Sequence, residues 1–141
     1  MSDGLHSGRR KARILLADDH QVVRSGVRSL LEGHADWKIC GEAGNGREAV
    51  AKAVELKPDL VILDLSMPLM NGFEAAKELR KVAPATRIIV FSMHNSRQIC
   101  EQAIQSGADA YVVKSSLFDE LEAAIRKLLG DDAAQSAGSA G

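Results

Sequence analysis

Short apolar runs alternate along this chain with longer stretches in which apolar positions recur every three or four residues. Five runs have strand character, at 13–17, 38–42, 60–63, 87–91 and 110–113. The first, third and fourth contain ILLA, LVIL and IIVF, apolar at every position, as expected of strands covered on both faces. Helical spacing fills 22–31, 46–56, 72–82, 96–106 and 117–129. Val23, Val27, Leu30 and Leu31 share one stripe, as do Leu121, Ile125, Leu128 and Leu129. Pro58, Pro84 and Gly107 stand between helix and strand, where a chain must stop and turn. Strand then helix, five times over, predicts parallel strands joined by crossover helices, a doubly wound α/β structure.

The chain has 141 residues, enough for one domain that buries roughly two-thirds of the surface its unfolded form exposes. Residues 11–129 are read as that folded unit. Residues 1–10 are polar and basic without any period and read as a disordered arm. Residues 130–141 (GDDAAQSAGSAG) have no apolar face and read as a flexible tail or the start of a linker. A formal net charge of −1 demands neither nucleic acid nor membrane as a partner, and no run approaches the ~18 apolar residues of a membrane helix. Cys40 and Cys100 lie far apart without a CxxC or His-rich neighbour, which argues against a zinc site or a disulfide scaffold. They are expected to be reduced and largely buried, in a cytoplasmic protein.

In sheets of this kind ligands bind beyond the carboxyl ends of the strands. Asp18 and Asp19 follow the first strand, Asp64 the third, Ser92 the fourth and Lys114 the fifth. Each alone has a plain explanation, as a helix cap, a turn residue or a solvated charge. Together they put three carboxylates, a hydroxyl and an ammonium on one rim. Carboxylates about 4 Å apart repel by roughly 4 kcal/mol at an effective dielectric near 20, so the cluster calls for a cation. Oxygen donors few in number suit Mg²⁺. A carboxylate beside such an ion can attack phosphorus, which singles out Asp64, with Lys114 and Ser92 placed to contact the transferred group.

The acidic pair, Asp64 followed by Met67-Pro68 and Gly72, Ser92 closing the fourth strand and Lys114 after the fifth occur in the order that resembles receiver domains of two-component response regulators, over residues 13–129. The resemblance implies a flavodoxin-like, three-layer αβα fold, with a five-stranded parallel sheet in the order 2-1-3-4-5 and five helices. It implies that Asp64 is the phosphoacceptor for a sensor histidine kinase. Asp19 and Asp64 would bind Mg²⁺ directly, Asp18 through water, and Ser66 through its backbone carbonyl. Ser92 and Tyr111 would be the switch residues, and Lys114 the phosphate-contacting lysine. Such a protein is a regulator rather than an enzyme.

Two departures stand out. Receivers usually carry Lys-Pro after the fifth strand, where this chain has Lys114-Ser115-Ser116, and the position after the switch hydroxyl is commonly small, where this chain has Met93 and then His94. Met93 and His94 are read as modulators of phosphoryl lifetime. These features, with ADDHQVVRSGVRSLL near the start, are similar to the subfamily whose receivers precede a LuxR-type helix-turn-helix. DNA is therefore expected as a partner only through a C-terminal domain absent from this chain. A stand-alone receiver acting through protein contacts and an aspartate-nucleophile phosphatase are the alternatives, and a homodimer on phosphorylation is open.

Other features carry less. The glycines between Gly41 and Gly46 follow the second strand rather than the first, so a nucleotide loop is disfavoured. His6, His20, His34 and His94 share no metal-ligand spacing. The fourth helix has only Ile99, Ala103 and Ile104 as an apolar stripe, which leaves a solvated or partner-binding surface.

Overall fold

The computed structural model describes residues 10–114 and 118–130. In chain order the elements are β1 (Ala12–Ala17), α1 (Gln21–Glu32), β2 (Trp37–Ala43), α2 (Gly46–Leu56), β3 (Leu60–Asp64), α3 (Gly72–Val82), β4 (Arg87–Ser92), α4 (Arg97–Gln105), β5 (Ala110–Val113) and α5 (Phe118–Leu129). The strands form one parallel sheet ordered β2-β1-β3-β4-β5, as the resemblance implied. Leu117, Ser115 and Ser116 lie outside the described residues. No helix among the described residues is long and apolar enough to cross a membrane.

The unbroken apolar runs follow from two cores, one on each face of the sheet. Leu15, Val61, Leu63, Ile88 and Val90 point to the layer of α2, α3 and α4, where Ala49, Ala53, Ala75, Ala76, Leu79 and Ala103 meet them. Ile14, Leu16, Leu60, Ile62, Ile89 and Phe91 point the other way, onto Val27 and Leu31 of α1 and Leu121 and Ile125 of α5. Alternate residues of one strand thus serve opposite cores, and all five residues of β3 are buried. Each large side chain fully buried this way contributes about 1.5–3 kcal/mol relative to exposure.

Punctuation acts locally as the sequence suggests, with two refinements. Gly46, the first residue of α2, lies so close to the loop after β3 that a Cβ there would stand 2.0 Å from the Met70 carbonyl oxygen. The glycines between β2 and α2 therefore serve packing, with Asn45 capping α2 through the Glu48 N–H. The two cysteines are free but half-buried rather than largely buried. Cys40 sits on β2, an edge strand, and Cys100 on α4, whose apolar stripe is narrow.

Candidate functional site

Parallel register carries every strand's carboxyl end to the same rim. Asp64 is the last residue of β3 and pairs with Phe91 in β4, while Ser92 closes β4 opposite Val113 of β5. Asp18 leaves β1 with its N–H donating to the Ala43 carbonyl at 3.0 Å, and the Lys114 N–H donates to the Ser92 carbonyl at 2.6 Å. The chain after Asp64 is made to fold back at once. Gly72 donates its N–H to the Leu65 carbonyl at 2.8 Å, and a Cβ on Gly72 would lie 2.6 Å from the Asp64 carbonyl oxygen. The glycine eight positions after the aspartate is thus required for space. Asn71 starts α3 with a reciprocal capping box to Glu74. The left-handed residue of the loop is Leu69, at φ 69° and bridged by the Met70 N–H to the Pro68 carbonyl; such a residue costs on the order of 1–3 kcal/mol.

At the rim, the Lys114 ammonium donates to Asp18 Oδ2 at 2.6 Å and to Asp64 Oδ1 at 3.0 Å, all three side chains being at most 8% exposed. The same ammonium lies 5.7 Å from the centre of the Phe91 ring. One cation between two buried carboxylates leaves a net negative charge. Asp64 Oδ2 is buried with no hydrogen-bond partner among the described residues. Burial, reinforced by the Asp18 charge, pushes the Asp64 carboxyl above its ordinary pKa despite the pull of Lys114. Burial works against the Lys114 ammonium, yet its bonds to Asp18 and Asp64 hold its pKa above the usual lysine value.

Asp19 joins the cluster from the exposed side, and ligand atoms of Asp18, Asp19, His20 and Asp64 all lie within 4.8 Å of one another. Three carboxylates against one ammonium, with a buried oxygen lacking a partner, fit a divalent cation coordinated by oxygen. Neither aspartate caps α1. Its N-cap is His20, without a side-chain cap bond, and Asp18 Oδ1 instead accepts from the His20 N–H at 2.8 Å.

The remaining residues fall around this centre. Ser92 is buried, and its Oγ accepts from the His94 N–H at 3.1 Å. Tyr111 donates its hydroxyl to the His94 carbonyl at 2.7 Å, so the His94 backbone joins the two residues expected to switch. Met93 stands out at 66% exposure. Ser66 is exposed in the loop after β3. Sequence reasoning passed over His20 because the histidines share no spacing with one another, whereas its neighbours are carboxylates. It also missed Arg24, whose Nη1 donates to the Asp18 carbonyl at 2.5 Å while its Nε binds Glu42 at 2.9 Å.

Known proteins match this arrangement. The family model described as response regulator receiver domain covers residues 14–126. The nitrate/nitrite response regulator protein NarL of Escherichia coli K12 is 40% identical over 121 residues, 86% of this chain and 56% of NarL. The receiver domain of the putative response regulator NarL from Mycobacterium tuberculosis superposes with TM-score 0.80 at 32% identity, covering 86% of this chain and 98% of that one. A LuxR-family response regulator from Aurantimonas sp. SI85-9A1 gives TM-score 0.81 at 40% identity, covering 85% of this chain and 86% of that one. The chain spans about half the length of the curated relatives it matches. Because the match runs from the first strand into the last helix and the same sheet order carries the acidic rim, the chain belongs to the response regulator receiver domain family, among relatives of the NarL and VraR type.

Proposed function

We propose that this chain is a phosphorylation-dependent receiver that accepts a phosphoryl group on Asp64 from the histidine of a sensor kinase. The observation that carries this reading is the Asp64 carboxylate, with one oxygen held by Lys114 and the other buried and without a partner among the described residues. An oxygen with unused lone pairs can attack phosphorus, forming the oxygen–phosphorus bond as the donor's phosphorus–nitrogen bond breaks and the pair returns to the donor histidine. Asp19 and Asp64 would hold Mg²⁺ directly, Asp18 through water and Ser66 through its carbonyl. When bound, the ion supplies positive charge against the phosphoryl oxygens. Lys114 supplies a second positive charge, and the Ser92 hydroxyl donates to the group once attached.

Switching follows from the His94 backbone. A phosphoryl group that draws Ser92 toward Asp64 breaks the His94 N–H bond to Oγ, and the loop then releases Tyr111 from the His94 carbonyl. Tyr111 turns inward and the face of α4, β5 and α5 changes. A full reversal of populations needs ~5.5 kcal/mol of differential binding, within reach of two or three hydrogen bonds to a charged group at ~1.5–3 kcal/mol each. Met93, exposed just after Ser92, and His94, whose N–H bonds Ser92 Oγ, tune phosphoryl lifetime.

The chain acts on its own phosphoryl group and has no external substrate. Its cytoplasmic partners are the kinase and, on phosphorylation, a second copy. The transcriptional output runs through a DNA-binding domain, supported by likeness to a DNA-binding LuxR-family response regulator of Staphylococcus aureus at TM-score 0.77 and 31% identity. Residues 11–129 are then the receiver, with Arg10 tied to it through Asp59. Intact-mass analysis after incubation with acetyl phosphate and Mg²⁺ tests the site. The wild type gains one labile phosphoryl group and Asp64→Asn gains none; equal uptake by the variant sinks the assignment.

A further inference from the structure

The acidic site holds a nitrogen donor that phosphoryl transfer as described does not use. His20 Nδ1 lies 3.1 Å from Asp18 Oδ1 and 3.1 Å from Asp19 Oδ1. Both contacts use oxygens that Lys114 does not occupy, since Lys114 takes Oδ2 of Asp18 and Oδ1 of Asp64. The spacing is informative. Two adjacent ligands of an octahedral ion, each ~2.1 Å from the metal, are separated by ~3.0 Å. The buried Oδ2 of Asp64, without a hydrogen-bond partner among the described residues, is an independent observation that points to an ion in the same cluster.

We propose that His20 is a nitrogen ligand of this site, which therefore takes nitrogen-preferring divalent transition ions of the Co²⁺ and Zn²⁺ class more tightly than its carboxylates alone would. This rests on the reading that the acidic rim holds a divalent ion. Imidazole adds little for Mg²⁺, which prefers oxygen, and much for ions further along the transition series. His20 is well placed to move onto an ion. Its side chain is 63% exposed and makes no cap bond that α1 depends on, so its replacement leaves the fold intact. The rim would then distinguish metals by one side chain, with Mg²⁺ held by oxygens and transition ions gaining the ring nitrogen.

Calorimetric titration of the whole chain with Co²⁺ and with Mg²⁺, at one fixed pH, tests this. His20→Ala weakens Co²⁺ binding about tenfold or more and changes Mg²⁺ binding less than about threefold, while Asp64→Asn weakens both. Proton spectra of the Co²⁺-loaded wild type show a strongly shifted imidazole N–H resonance that His20→Ala lacks. An unchanged Co²⁺-to-Mg²⁺ affinity ratio in His20→Ala overturns the proposal, as does Co²⁺ binding that survives Asp64→Asn unweakened. If Asp64 takes up phosphoryl in Mg²⁺ but the ratio is unchanged, only the ligand assignment falls. If the ratio changes as expected but no phosphoryl is taken up, the ligand assignment stands and the phosphoacceptor reading falls.

Discussion

Two aspartates bracket β3, and the molecule treats them in opposite ways. Asp59, just before the strand, accepts from the Arg13 N–H at 2.8 Å and from both Nη atoms of Arg10 at 3.0 and 2.9 Å. Burial opposes its charge, but these donors outweigh burial and hold its carboxyl below the ordinary carboxylate pKa. Asp64, five residues on, sits deeper, shares one ammonium with Asp18 and keeps an oxygen unpartnered, so its carboxyl moves the other way. At the same end of the sheet as Asp59, Asp109 is likewise satisfied, by Arg80 at 2.6 Å and the Ile88 N–H at 2.8 Å. One edge of the sheet is neutralised within the chain; the other is left short of positive charge. A stabilising carboxylate is one whose donors are all supplied by the chain, whereas a reactive one is left incomplete.

The contrast can be broken hardest at Lys114. Lys114→Met leaves Asp18 and Asp64 facing each other without their cation, and breaking a buried pair costs about 3–5 kcal/mol. Chemical denaturation at neutral pH without divalent ions reads that loss, and phosphoryl uptake falls roughly 100-fold beside it. A smaller effect is expected at the other edge. Asp59→Ala leaves the half-buried Arg13 N–H without its acceptor and breaks the exposed ion pair with Arg10, destabilising by about 1–2 kcal/mol, with uptake of phosphoryl unaltered. Loss of uptake in Asp59→Ala would remove the distinction between the two edges.

The smallest and most diagnostic effect is in pH dependence. Asp59 has a depressed pKa in the folded state, so its contribution is present above the ordinary carboxylate pKa and is lost as pH falls through the depressed value. Asp64 has a raised pKa, so stability is greatest below the ordinary carboxylate pKa and is lost as pH rises through the raised value. Without divalent ions, Asp64→Asn therefore melts about 3 °C above the wild type near neutral pH and loses that advantage in acid. Asp59→Asn shows a deficit near neutral pH that also closes in acid. Parallel curves for the two variants would contradict the opposed environments. Added Mg²⁺ raises the wild-type Tm by mass action and narrows the Asp64→Asn advantage.

Much of the site was legible because strand polarity does the placing. Once 13–17, 60–63, 87–91 and 110–113 are read as parallel strands, Asp18, Asp64, Ser92 and Lys114 must share a rim. Gly72 was legible as part of the motif after Asp64, but its reason was not, since a glycine needed for space beside the Asp64 carbonyl looks in sequence like one needed for a left-handed φ. The left-handed position is Leu69, which no composition rule would select. Arg10, read as part of the arm, pairs with Asp59 across 49 residues of sequence.

The amino-acid sequence by itself determined the strands, the helices and the edge on which the polar residues gather. Burial on both faces forces unbroken apolar strands, and crossover helices force them parallel. Only the tertiary structure decided how those residues pair. Lys114 reaches Asp18 and Asp64 across 96 and 50 residues, His20 sits between two carboxylates, and the His94 backbone links Ser92 to Tyr111. Periodicity specifies the face and end of each element. Which oxygen an ammonium takes, and which is left without a partner, depends on separations of a few tenths of an ångström that exist only once the strands are in register.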